Sequence, residues 1–169
     1  MKSTLPESRD RDAVMKDHTI IAALNELIEA SKDGEMEMTN AAQDAQAHDL
    51  VRALSDAEAA NRTASAELQD QVRLLGSTAE QEGSFRAAAK RGWTNVKSMV
   101  SSRNDSGIVE ECVRGQGDIR GRYADALELD LPGPLYSLVE RHHRVIVATH
   151  YRLLDLRNRL RDAPCKTER

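Results

Sequence analysis

From Thr19 onward the apolar residues fall three or four apart: Ile20, Leu24, Leu27 and Ile28, then Met38, Ala42 and Ala45. That spacing places them on one face of an α-helix. The series continues through Asp33-Gly34, so one helix is predicted to about Ala47, although an interior glycine costs ~1 kcal/mol. A second series is more regular. Leu50, Leu54, Ala57, Asn61, Ala64, Leu68, Val72 and Leu75 step by three or four without interruption, and Gly76 stops it. The join between the two helices is short and polar, which makes them antiparallel neighbours.

After STAEQEG a shorter helix is predicted from Ser84 to about Ser101, with a stripe of Phe85, Ala89, Trp93, Val96 and Val100. The chain's one Phe and one Trp both fall here. Large rings of this kind pin a crossover helix onto a bundle; ligand stacking on Trp93 is the lesser alternative. A third helix follows RNDSG, capped by Asp105 or Ser106, with Ile108, Cys112, Gly115, Ile119, Tyr123 and Ala126 on its stripe. Gly115, Gly117 and Gly121 inside it are expected to admit a close neighbour. DLPGP opens the last helix, where proline suits the first turn. That helix carries Leu135, Val139, His142, Ile146, Thr149, Leu153, Leu156 and Leu160. Residues 1–17 lack a pattern and are expected to form a disordered arm, residues 18–162 the bundle and 163–169 a tail.

The layout is hairpin, crossover, hairpin. A crossover helix of about 18 residues spans ~27 Å, most of the length of a bundle, and returns the chain to its starting end. Helices two and three are then parallel. The expected fold is all-α, a ferritin-like four-helix bundle with a long crossover containing the shorter helix.

A few polar residues interrupt the stripes. At 100° per residue Glu35 falls in line with Ser31 and Met38, near the centre of the first stripe, whereas Glu26, Glu29, Asp33 and Glu37 project the other way as a solvated face. Asn61 is the polar residue at mid-stripe on helix two, with Glu58 on its flank. Glu111 flanks the third stripe beside Cys112. On helix four His142 and Thr149 are inside and His150 at the edge. Counting from the turns brings Glu35 level with Asn61 and Glu111 level with His150. A polar layer of Glu35, Glu58, Asn61, Glu111 and His150 is therefore expected.

Two readings of that layer stand side by side. It is either a hydrogen-bonded network that fixes helix register, or a metal site with Glu35, Glu58, Glu111 and His150 as ligands and Asn61 as neighbour. Carboxylates with imidazole suit iron, manganese or zinc. Ferritin-like two-metal sites take a Glu from two helices and Glu-x-x-His from the other two. Here that set is incomplete: helix two reads Glu58-Ala-Ala-Asn61 and helix four Val147-Ala-Thr-His150. Glu140-Arg-His-His143 has the spacing, but Glu140 points away from the stripe.

The apolar share is 40%, but aromatics are only 3%, so the core must be packed with Ala, Leu, Val and Ile. A net charge of −4 with mixed signs excludes a chain-wide nucleic-acid footprint. Cys112 and Cys165 form no motif, which reads as free thiols in a reducing compartment. No apolar run approaches the ~18 residues of a membrane span, and MKSTLPESRDRDAVMKD lacks the apolar middle of a secretory signal. A cytoplasmic location with no membrane partner is expected.

Several stretches together carry a resemblance: LNELIEASKDGE, AAQDA, AELQDQVRLLG, RGWTNVKS, IVEECVRG and YADALELDLP. In this order and spacing, over about residues 19–157, the chain resembles the DUF2383 family of bacterial four-helix-bundle proteins. The resemblance implies a ferritin-like bundle and supplies no reaction. It also implies that Glu35, Glu67, Glu111 and His150 fall in shared stretches. Where the family pattern has an acid-rich Glu-Arg-Gly-Glu-Asp run, this chain has Val113 to Gly117, VRGQG, so Val113 and Gln116 replace acids.

There is no phosphate loop and no Cys-His or Ser-His arrangement. The favoured function is therefore a non-catalytic binding or stress-associated accessory protein, acting on another protein or as a homo-oligomer, a dimer, rather than an enzyme. The alternative is a ferritin-like metal-binding protein. Nucleic-acid binding through Arg86, Lys90, Arg91 and Lys97 ranks last, because those cations fit a solvated face.

Overall fold

The computed structural model describes residues 7–76 and 104–162, with backbone alone for 7–13. Four helices make up the described chain: α1 (Glu7–Asp44), α2 (His48–Leu74), α3 (Asp105–Leu127) and α4 (Gly133–Asp162). No strand occurs among the described residues. The expected crossover helix over 84–101, with Phe85, Trp93 and the four cations, lies outside them, as does Cys165.

Local chemistry sets the boundaries. Gly76, at φ 76°, ends α2 while its N–H returns to the Arg73 carbonyl. Asn104, not Asp105 or Ser106, caps α3, its side chain accepting from the Gly107 N–H at 2.9 Å. Asp105 is thereby free for another task. Its carboxylate accepts from the Gln46 N–H at 2.8 Å and the Ala47 N–H at 2.7 Å, so it fastens the start of α3 to the α1–α2 turn. At the other end Lys16 donates to Asp130 at 2.5 Å, holding the early part of α1 near the α3–α4 turn.

Those two ties settle the directions. α2 and α3 both run away from the same end and are parallel, as the crossover topology requires. α1 packs on α2 and α3, and α4 packs on the same two. Neighbours around the bundle are antiparallel, and the parallel pairs lie across its diagonals. Residues 7–17, expected as part of an arm, are helical. They continue α1 past Ile20, its first core residue, and Val14 to Thr19 are exposed. A helix that is already nucleated extends at little further cost.

The core is divided into two. One apolar cluster joins Leu24, Leu27, Leu68, Val72, Tyr123, Val139 and Ile146. The other joins Met38, Ala41, Leu50, Leu54, Val109, Cys112 and Leu153 near the α1–α2 turn. Each fully buried leucine contributes ~2–3 kcal/mol through removal from water. Between the clusters the buried residues are Ser31, Asn61, Ser65, Gln116 and His150.

Candidate functional site

The buried stripe of α1 runs Ile20, Leu24, Leu27, Ser31, Gly34, Met38, Ala41. It steps by four and three in alternation and passes through Gly34, not Glu35. A Cβ at Gly34 would lie 2.5 Å from Cδ1 of Ile119 and 2.7 Å from Nδ2 of Asn61. The missing side chain is the space into which those two residues pack. Glu35, expected at the centre, is displaced to the α1–α2 flank and is 31% exposed there.

The expected acids all take perimeter positions. Arg62 donates from Nε to Glu35 at 3.1 Å and pairs with Glu58 through Nη2, so one guanidinium holds both carboxylates. Glu111 pairs with Arg114 of its own helix. Glu35 is level with Asn61 in depth, as counted, but the side chain that meets it comes from Arg62.

The layer itself is built from neutral groups on all four helices. Asn61 Nδ2 donates across the bundle to Gln116 Oε1 at 3.4 Å. Ser31 Oγ and the Tyr123 hydroxyl lie 2.9 Å apart. Ser65 donates to the Arg62 carbonyl at 3.0 Å. The His150 ring packs where Gly117 has no side chain, 3.3 Å from the place of its Cβ. Burial, then Arg120, lowers the His150 pKa below its ordinary value and favours the uncharged ring. Asn61 Oδ1, Gln116 Nε2 and His150 Nδ1 have no partner among the described residues. Of the expected site residues, Asn61 and His150 are therefore inside, while Glu35, Glu58 and Glu111 are not. Gln116, fully buried, belongs to the layer although its sequence position marked it only as a replaced acid.

Two further constellations were less visible in the sequence. Glu37, read as solvated, is packed against α3 at Gly115, where any Cβ would collide with its carboxylate. Burial first, then Glu111, pushes its carboxyl up to about 8 against the opposing pull of Arg114. The second lies on the α2–α4 side. Glu67 accepts from Arg141 at 2.6 Å and sits 2.9 Å from Nε2 of the buried His142. Cys112 is buried, and desolvation raises its thiol well above the ordinary range, as expected of an inert core cysteine.

A ferritin-like fold implies metal held by carboxylates and imidazole, and the residues present do not fit that group. Among the described residues no three His, Cys, Asp or Glu side chains come together to hold an ion. The inward groups at the expected depth are the hydroxyls of Ser31, Ser65 and Tyr123, the amides of Asn61 and Gln116 and the imidazole of His150. No helix among the described residues is long and apolar enough to cross a membrane.

The chain is similar in structure to a two-domain protein of Anabaena variabilis containing DJ-1/ThiJ/PfpI-like and ferritin-like domains. The TM-score is 0.71 at 9% identity, covering 90% of this chain and 40% of that one. At that identity the likeness concerns the fold, which is ferritin-like. No functionally curated protein matches the chain. The family described as Domain of unknown function (DUF2383) matches residues 19–129, and over that stretch, more than half its length, the chain belongs to this family.

Proposed function

We propose that this DUF2383 bundle acts by binding, as an accessory protein, and not by turning over a substrate. In this reading the mid-bundle layer is a register device. The observation that carries it is the neutrality of the layer: Ser31, Asn61, Gln116 and His150 face inward, while Arg62 and Arg114 hold Glu35, Glu58 and Glu111 at the perimeter. A buried amide that must find its partner across the bundle penalises any slip of one helix against another. Neutral oxygen and nitrogen donors make a poor cage for a hard divalent ion, which prefers carboxylates.

The alternative is a metal-binding protein using iron, manganese or zinc with Glu35, Glu58, Glu111 and His150. One measurement separates the two: elemental analysis of untagged protein after incubation with Fe(II), Mn(II) and Zn(II) and removal of excess. The binding reading expects substoichiometric metal, unaltered by Glu35→Gln or His150→Ala. One or two equivalents lost in both variants would overturn it in favour of the metal.

A further inference from the structure

Three side chains of the mid-bundle layer each carry a polar atom that the surrounding helices leave unbonded. Asn61 and Gln116 are 0% exposed and His150 is 8% exposed. Asn61 Oδ1, Gln116 Nε2 and His150 Nδ1 are enclosed, with no hydrogen-bond partner among the described residues. An enclosed polar atom forfeits its hydration unless another group bonds it, and native interiors rarely tolerate that loss.

The side chains that carry these atoms come together between the two apolar clusters. Asn61 Nδ2 donates to Gln116 Oε1 at 3.4 Å and lies 2.7 Å from where a Cβ of Gly34 would stand. The amide is planar, so its Oδ1 projects to the other side, away from α1. A tight N–H···O bond measures ~2.7–3.2 Å. At 3.4 Å neither amide is drawn fully onto the other, and Gln116 Nε2 is left for a further partner. His150 enters the layer from α4. The Cε1–Nδ1 edge of its ring faces Gly117, 3.3 and 3.8 Å from the place of its Cβ, and Gly117 directly follows Gln116.

The chemistry of the three atoms selects what can join them. Gln116 Nε2 only donates and Asn61 Oδ1 only accepts. The imidazole, kept uncharged by its burial, accepts at Nδ1 when its proton is on Nε2. A metal cation would suit the two acceptors and be repelled by the amide N–H. A water molecule accepts one bond and donates two, which matches all three. The complete enclosure of both amides favours this smallest ligand. We infer that the mid-bundle layer binds one internal water, which accepts from Gln116 Nε2 and donates to Asn61 Oδ1 and His150 Nδ1. Buried waters typically make about three such bonds. This one ties α2, α3 and α4 at a single point, and the seat of Asn61 on Gly34 brings in α1. The inference rests on the neutral-layer reading, since a metal at this depth would occupy the same atoms.

The test is a high-resolution crystal structure of the full chain, paired with relaxation dispersion of water in solution. Density for one ordered water within ~2.7–3.2 Å of all three atoms is expected. Asn61→Leu/Gln116→Leu replaces both amides with apolar groups of similar size. Relaxation dispersion should then count one long-lived internal water fewer than in the wild type, with circular dichroism as the folding control. Amides bonded only to each other with no density beside His150, or an unchanged count in the folded double variant, would overturn the inference. Either result leaves the neutral-layer reading standing. Anomalous scattering from that position would mark a metal and overturn both.

Discussion

Two seams of the bundle hold carboxylates of the same kind and treat them in opposite ways. On the α1–α3 seam Glu37 is packed under Gly115, and burial with Glu111, Asp118 and Asp33 nearby drives its pKa to about 8. On the α2–α4 seam Glu67 stays partly exposed. Arg141 first, then His142, hold its carboxyl below the ordinary range. Position on a helix edge does not decide the protonation state. Burial decides first, raising Glu37, and the guanidinium second: Arg141 donates directly to Glu67, whereas Arg114 is engaged by Glu111 and acts on Glu37 only through space.

The largest consequence is a dependence of stability on pH that belongs to one seam. Glu37 has a folded pKa raised from 4.5 to about 8. Its contribution is therefore fully present below pH 4.5 and is lost as the pH rises through about 8. Glu37→Gln keeps the neutral shape and removes the titration. In urea melts its advantage over the wild type should grow by ~1.4 kcal/mol per unit between pH 5 and 8, toward a total on the order of 5 kcal/mol, and then level off. A difference that stays flat over that range would refute the assignment. The matching Glu67→Gln change should show no gain on the alkaline side.

Next in size is a volume test. Gly115→Leu fills the space that the Glu37 carboxylate occupies and should destabilise by about 2–3 kcal/mol. Most of that loss should return in a Glu37→Ala background, because the two side chains compete for one site. On the other seam Ala60→Val, beside the surface, should change stability by less than about 0.5 kcal/mol. If Gly115→Leu is as mild as Ala60→Val, the seams do not differ in packing.

The same contrast explains what the sequence made legible. The order of the four described helices and the parallel relation of α2 and α3 follow from strong 3.6-residue periodicity and clear stops such as Gly76, and these were readable. So was a polar layer at mid-depth, because Asn61 interrupts an otherwise regular stripe. One of its acids, Glu35, is misplaced by one residue. A glycine contributes no apolar signal, so the α1 stripe was drawn through Glu35, while the backbone turns Gly34 inward to receive Asn61 and Ile119. Glu37 was hidden for a related reason: its burial depends on Gly115 in another helix, a pairing that no one-dimensional period reveals. The cap at Asn104 was missed because Asp105 is an equally good cap by type, and its use on the α1–α2 turn is a tertiary contact.

A smaller effect separates the histidines. Burial lowers the His142 pKa while Glu67 opposes it. A lowered folded pKa means that stability is present above pH 6.5 and lost as the pH falls below it. Glu67→Gln removes the opposing partner, so the His142 pKa should fall further, and the acid-side loss should deepen. At pH 7 the substitution should cost about 1 kcal/mol, because Glu67 is partly exposed and its ion pair is screened. Imidazole titration by NMR checks the direction; a rise in the His142 pKa would contradict the pairing.

The smallest predicted change is a gain, and it separates the glycines of α3 from one another. Gly115 and Gly117 lack side chains because Glu37 and His150 occupy the space, whereas a Cβ at Gly121 meets nothing within 4 Å. Gly121 lies within α3, away from both helix ends, with no positive φ. Alanine there restricts the unfolded chain and suits the helix, so Gly121→Ala should stabilise by ~0.5–1 kcal/mol. Gly115→Ala carries the same helical gain but must displace the Glu37 carboxylate, so its net effect should fall below that of Gly121→Ala. The comparison needs only two thermal melts at pH 7. If both alanines raise the midpoint equally, then Glu37 yields freely, and its raised pKa would have to come from charge neighbours and not from a tight cradle.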